Sequence, residues 1–421
     1  IQNKEIKSPA FGRGHQATTP PTTKQLTKPS AALTSPRHTV LPNMVLLLVC
    51  SVFSILQISI VLSCVQLLVW PLDYIGLRAL RQQISGFYAH STGMAFMFWL
   101  EYMTGTKIIV TGDTLPPNER VLVFSNHVAV EWMHIISLVH RHTQVGGFKA
   151  VMKESLKYVP IANVGIREGF VTVKRGQGKE ARQSILTSFR EQGAQLCRDR
   201  VPLWLVLFPE GTWITPNDLA IQQKANAFAV KAGYPKLHNV LFPRANGFCA
   251  LLEGMRRGPD RIDAVYDVTV AYNKPYHTVH IGQRNPPTVV QLASASAQAP
   301  KEVHFHITRH LTTDIPEQEE EAAKWLCNRF AVEKEALLEQ FDRSSPHCFP
   351  GKSKSTKLHL PSLVLHQLFL FLHLGGVYWV IQRVLGTVAV MVFLGLGVFA
   401  AVAAATGDKK EDKVVNGKKK Q

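Results

Sequence analysis

Residues 121–141 read VLVFSNHVAVEWMHIISLVHR, and the change of period inside this stretch decides the fold. VLVFSN is an unbroken run rich in β-branched and aromatic residues, the pattern of a buried strand. From Glu131 onward the apolar residues take helical spacing. The same alternation recurs further along the chain. FVTVKR (170–175), LWLVLF (203–208) and VYDVTVAY (265–272) read as strands. KEARQSILTSFREQGAQL (179–196), with Ile185, Leu186 and Phe189 on one face, and AIQQKANAFAVKAG (220–233), ending at Gly233, read as helices. Strands alternating with amphipathic helices predict an α/β fold with a mostly parallel central sheet and flanking helices. Ligands in such folds gather beyond the strand ends, so the residues found there carry the functional expectation.

Outside this middle region the composition shifts. Residues 1–43 are rich in Thr, Pro, Ser and Lys without apolar periodicity, which predicts a disordered leader that is not part of the native protein if Met44 is the start. No charged residue interrupts 44–70, and that run exceeds the ~20 residues a helix needs to cross a bilayer. It predicts a membrane anchor, continued to residue 100 by an interfacial helix. Two more apolar segments, 362–381 and 384–406, are separated by Gln382 and Arg383 and predict two further membrane segments within 361–406. Residues 101–345 then form the globular domain, 346–360 a linker and 407–421 a basic tail. Lys418 and Lys419 resemble the dilysine retrieval signal of endoplasmic reticulum membrane proteins, and a basic tail drawn to anionic lipid is the other reading.

The 421-residue chain has 47 Lys and Arg against 30 Asp and Glu, a net charge of +17. That excess favours an anionic partner: a phospholipid surface, a phosphorylated metabolite or nucleic acid. No nucleic-acid recognition motif is present, and the charge is spread over both tails and the surface. The six cysteines form no CxxC pair or metal-ligand spacing and read as free thiols.

Three polar constellations sit at predicted strand ends. The first is Asn126, His127 and Glu131; the second is Lys174 and Arg175, closing GIREGFVTVKRG; the third is FPEGTW, 208–213, with Glu210, Gly211 and Thr212. In this order, and with VLFPRANGF (240–248) as a fourth block, they resemble the glycerolipid acyltransferase superfamily. The Leu-x-Pro-Arg form of that block, VYDVTVAY and the helix predicted over 324–341 are similar to the 1-acylglycerol-3-phosphate and lysocardiolipin acyltransferase subgroup. The resemblance covers roughly 100–341. It implies an enzyme that moves an acyl group from acyl-CoA directly to a lysophospholipid hydroxyl, with no cofactor beyond acyl-CoA as co-substrate.

The residue types suit that chemistry. A hydroxyl of very high pKa attacking a thioester needs a base, and His127 is the candidate. A carboxylate on its other ring nitrogen, that of Glu131, would fix the tautomer and stabilise the imidazolium. Lys153, Lys174, Arg175 and Arg244 are the cations expected at phosphate. The resemblance places Asn126, Glu210, Gly211 and Thr212 in the substrate site, with Glu210 beside the glycerol. Lys149, Arg256 and Arg257 read as solvated basic surface. Two departures stand out. The family usually places the acid five residues after the histidine and as Asp, whereas here Glu131 follows at four; the longer side chain is expected to restore contact. Trp213 stands where many members have Arg, which puts the head group in question.

Two other function classes remain at this level: a non-catalytic membrane lipid-binding or scaffold protein derived from the family, and a metalloenzyme using His127, Glu131 and His134. The last two have Glu-x-x-His spacing, but no second copy of that motif occurs, and His304 and His306 do not complete it, so no metal is expected. The expected partners are acyl-CoA, lysophospholipid and membrane; the expected location is the endoplasmic reticulum membrane, with the domain facing the cytosol.

Overall fold

The computed structural model describes residues 68–142, 147–158, 168–173, 179–198, 203–213, 218–257, 261–273, 278–293 and 299–355, with isolated positions between 63 and 66, at 165, 166 and 276, and between 360 and 387. All belong to the larger of the chain's two units, 42–421; the other, 1–41, lies outside the described residues.

β1 (Lys107–Gly112), β2 (Val121–Ser125), β3 (Phe148–Lys153), β4 (Val171–Val173), β5 (Trp204–Leu207), β6 (Ala264–Tyr272), β7 (Glu302–Leu311) and β8 (Lys354–Ser355) form one sheet in the order β4-β3-β5-β2-β6-β7-β1-β8. β2 lies between β5 and β6 and is parallel to both, with Val123 opposite Val206 and Tyr266. β3 and β4 extend the parallel block. β7 reverses direction against β6, β1 runs with β7, and β8 closes the edge antiparallel to β1. The carboxyl ends of β4, β3, β5, β2 and β6 therefore share one edge.

Every residue of β2 is buried. Leu122 and Phe124 join Leu205, Leu207, Phe248 and Phe330 on one side; Val121 and Val123 join Val206, Tyr266, Val268 and Leu138 on the other. Successive side chains in a strand point to opposite faces, so a strand covered on both must be apolar at every position. That is why VLVFS does not alternate.

The flanking helices are α1 (Arg78–Met97), α2 (Glu131–His142), α3 (Lys179–Arg198), α4 (Leu219–Lys231), α5 (Ala245–Arg256), the short α6 (Val289–Ala293), α7 (Glu319–Asn328) and α8 (Glu335–Arg343). A π-turn at Arg329–Lys334 joins α7 to α8 and makes them the nearly continuous helix predicted over 324–341. α2 buries Met133, Ile135, Leu138 and Val139 against one face of the sheet. On the other face α3 meets α5 so closely that a Cβ at Gly254 would collide with the carbonyl oxygen of Arg190.

Several expectations need correction. VLFPRANGF, whose apolar run would suit a strand, forms none: 240–244 is irregular and α5 begins at Ala245. Pro243 has no N–H for a ladder, and the N–H groups of Val240 and Leu241 go to the carboxylates of Glu335 and Glu210. β3 is interrupted by Lys149 and Lys153 and had no strand pattern in the sequence, yet Lys149 is buried rather than solvated. Arg256 is half-buried and donates to the Pro316 carbonyl. Among the described residues no helix is long and apolar enough to cross a membrane; 44–62 and 388–406, which hold most of the first predicted anchor and the end of the last, lie outside them.

Candidate active site

Asn126 and His127 follow β2 directly at the parallel block's carboxyl edge. The His127 ring stacks on Phe208, which follows β5, with centroids 4.5 Å apart and planes 22° from parallel. Its Nδ1 lies 2.5 Å from Oε1 of Glu131, the first residue of α2. The other oxygen of Glu131 accepts the Ala129 N–H at 2.6 Å. Glu131 is wholly buried, whereas the His127 side chain keeps 18% of its surface exposed. The structure thus brings the two residues together across the shortened spacing, with the glutamate reaching back from the start of the helix.

A carboxylate can only accept, so the contact requires Nδ1 to carry the proton and leaves the Nε2 lone pair free. Nε2 has no hydrogen-bond partner among the described residues. Burial pulls the imidazole toward its neutral form, but the charge and hydrogen bond of Glu131, with the charge of Glu210, more than offset it and hold His127 above its ordinary value.

Glu210, on the turn after β5, is 2% exposed. Its Oε1 accepts the backbone N–H of His127 at 2.8 Å and its Oε2 that of Leu241 at 3.0 Å. It clips the first, third and fourth sequence blocks together, because both its oxygens accept from backbone donors inside the fold. Burial raises its proton affinity, opposed by the charge of Arg284 and the two N–H groups. Asn126 is likewise a strap. Its amide donates to the Val270 carbonyl at 3.0 Å and accepts the Val270 N–H at 2.8 Å, extending the pairing of β2 with β6. It is fully buried with those bonds made.

Gly211 has a φ of +72° and closes the turn through an N–H bond to the Phe208 carbonyl at 2.9 Å. The left-handed φ is what favours glycine there, since a Cβ would meet the Arg244 side chain only at an ordinary contact distance. Thr212 donates to the Trp213 carbonyl. Arg244, exposed at the head of α5, donates its N–H to the Pro209 carbonyl at 2.8 Å. Lys153 ends β3, exposed on the same edge. Neither has an ion-pair partner among the described residues. Lys174 and Arg175 lie outside them.

His134 is not a partner of the pair. Its Nδ1 is 3.1 Å from the Tyr272 hydroxyl, and complete burial pushes it down to about 3, so it stays neutral. Among the described residues no three His, Cys, Asp or Glu side chains gather as metal ligands. The sequence reading missed Arg284. It is 3% exposed and donates to the carbonyls of Asn239 at 2.6 Å, Thr278 at 3.2 Å and His127 at 3.4 Å. In HIGQRNPP nothing distinguishes this arginine from a surface one; only the fold brings it under the site.

A model of the acyltransferase family matches residues 107–242, and a model of the acyltransferase C-terminus matches 297–370. The chain is 35% identical over 271 residues to the probable 1-acyl-sn-glycerol-3-phosphate acyltransferase 5 of Arabidopsis thaliana, covering 62% of this chain and 65% of the relative. It is 32% identical over 282 residues to the 1-acyl-sn-glycerol-3-phosphate acyltransferase epsilon of Mus musculus, covering 64% of this chain and 73% of that protein. The chain belongs to the acyltransferase family. Within it the subgroup also includes lysocardiolipin acyltransferase 1 of Mus musculus, 34% identical over 257 residues, 60% of this chain and 63% of the relative. The chain therefore spans slightly less than two thirds of the Arabidopsis and lysocardiolipin relatives. No solved structure matches. The acyltransferase match begins at β1 and ends just past Leu241, so it contains His127, Glu131, Glu210 and the backbone groups that join them.

Proposed function

We propose that the protein is a membrane-bound acyltransferase that moves a fatty acyl group from acyl-CoA to the free hydroxyl of a lysophospholipid, lysophosphatidic acid or a related acceptor. The contact between His127 and Glu131, with Nε2 unengaged at the strand edge, carries this reading. Nε2 takes the proton as the acceptor oxygen bonds to the thioester carbonyl carbon. Glu131 balances the imidazolium. The carbon–sulfur bond then breaks, and the proton passes from the imidazolium to the CoA thiolate. No residue is acylated, and no cofactor beyond the acyl-CoA co-substrate takes part.

Lys153 and Arg244, exposed beside this edge, suit the acceptor phosphate, and Lys174 and Arg175 are assigned with them from the family resemblance. Thr212 and Gly211 line the turn between Glu210 and the acceptor. The residues that follow the carboxyl ends of β3, β2 and β5 include exposed Leu156, Tyr158, Trp132 and Trp213. Aromatic and aliphatic groups around a site for an amphiphilic substrate support placing that edge against a bilayer. The apolar segments 44–70 and 361–406 serve as anchors in this reading. Arg78 and Arg81 supply a positive flank, which puts the domain on the cytosolic side, where acyl-CoA is available. The endoplasmic reticulum membrane is the location that goes with it.

The test is incorporation of label from acyl-CoA into a panel of lysophospholipids by membranes containing the protein or its His127→Ala variant. Product from the wild type and none from the variant is expected. No product from the wild type with any acceptor would replace this reading with a non-catalytic lipid-binding protein built on the family's fold.

A further inference from the structure

Arg284 has an unusual set of partners for a buried charge. It follows a short 3-10 turn, Ile281–Gln283. Its described hydrogen bonds all go to backbone carbonyls, of Asn239, Thr278 and His127, and it forms no ion pair within 4.0 Å among the described residues. Neutral acceptors satisfy a guanidinium's donors but leave its charge uncompensated, and an uncompensated buried charge is costly.

The compensating charges act at longer range. Glu210, clipped to His127 and Leu241, faces Arg284 first; Glu131 and Glu335 contribute as well. Glu335 is held by the N–H groups of His238, Asn239 and Val240, next to the carbonyl that Arg284 grips most tightly. The groups acting on the His127 ring are therefore Glu131 from α2, Glu210 from the turn after β5, and Arg284; Phe208, stacked on the ring, is uncharged. One positive group stands against two negative ones around a single base.

We propose that Arg284 is a positioning residue for His127: it holds the His127 and Asn239 carbonyls together beneath the site and stands as the one cation against Glu210 and Glu131 beside the ring. Without it, two carboxylates bind the imidazolium unopposed. The base then keeps its proton to higher pH, and less of it is in the form that can accept one from a hydroxyl. Arg284 acts through the ring and touches no substrate. The proposal rests on His127 being the base of acyl transfer, but its central claim concerns titration and can be measured without turnover.

The readout is modification of His127 by diethyl pyrocarbonate, which attacks the neutral imidazole, followed by mass spectrometry of the peptide containing it as a function of pH. The partly exposed ring with a free Nε2 gives the reagent its access. Arg284→Met should raise the midpoint, because an opposing charge is lost. Arg284→Lys should leave it near the wild-type value, Glu210→Gln should lower it, and the Arg284→Met/Glu210→Gln double variant should return it toward wild type. An unmoved midpoint in folded Arg284→Met overturns the proposal. If that variant does not accumulate as folded protein, Arg284→Gln, which removes the charge and keeps an amide donor for the carbonyls, decides instead: its midpoint must rise, and an unmoved one overturns the proposal. In the acyl transfer assay the acid limb of kcat/KM should move with these midpoints. Wild-type protein without transfer but with the expected midpoint shifts would remove the enzyme reading and keep the assignment of Arg284; transfer without the shifts would do the reverse.

Discussion

Shortening Glu131 by one methylene tests whether the compressed His-Glu spacing works as its geometry indicates. In Glu131→Asp the carboxylate withdraws by roughly 1.5 Å, so a contact of 2.5 Å opens to about 4 Å, beyond hydrogen bonding. A hydrogen bond to a charged group contributes ~1.5–3 kcal/mol. Its loss in the transition state should lower kcat by roughly 10- to 150-fold, even though Asp is the acid most family members carry. Glu131→Gln should do more harm. Its amide oxygen can still accept the Ala129 N–H, which turns the NH2 group toward Nδ1. Nδ1 must then be the acceptor, the ring proton moves to Nε2, and the atom that should take the hydroxyl proton is already protonated. With the counter-charge also gone, a loss on the order of 10³-fold is expected. Initial rates at saturating acyl-CoA and acceptor measure both effects, with thermal unfolding as a control that the variants remain folded. Inserting one residue after Val130 together with Glu131→Asp restores the usual spacing and should recover activity relative to Glu131→Asp alone. Turnover like that of the wild type in Glu131→Gln or Glu131→Ala would refute the assignment.

Three further outcomes are expected. Because its carboxylate neighbours hold His127 above its ordinary value, kcat/KM should still be rising above about pH 6.5. The same shift stabilises the fold below the unfolded-state value and is lost as pH rises through the folded one. A rate profile already flat at pH 6 would contradict it. Arg244→Ala should raise KM for a phosphorylated acceptor by roughly 10- to 150-fold, the equivalent of ~1.5–3 kcal/mol, and leave a phosphate-free acceptor unaffected; equal losses would make Arg244 structural. Gly254→Ala, which pushes a methyl group into the Arg190 carbonyl, should destabilise the domain by about 1–3 kcal/mol, read as a lower denaturant midpoint.

Local pattern accounts for much of the scaffold. A side-chain period of two or of 3.6 residues is a property of a short stretch, so β2, β5, β6, α2, α3 and α4 could be read within a few residues of where they lie. The same holds for the meeting of His127 and Glu131, since both belong to one strand-to-helix junction and only a side-chain length had to be judged. The π-turn at Arg329–Lys334 leaves the 324–341 periodicity nearly intact for the same reason.

What the pattern could not supply depends on groups far apart in the chain. Glu210 and Asn126 have the composition of substrate-binding residues, but the backbone N–H of Leu241 and both backbone groups of Val270 engage them within the fold. VLFPRANGF looks like a strand until Glu335 and Glu210 take N–H groups that a neighbouring strand would otherwise need. Arg284 sits 157 residues from His127 in sequence and has no local mark at all. By itself the sequence determined the alternation of β2, β5, β6, α2, α3 and α4, the family, and which histidine and acid meet. The tertiary structure alone decided which polar residues are consumed in holding the loops together and which buried charge faces the base, because hydrogen-bond satisfaction and charge compensation are settled only when distant segments are packed out of water.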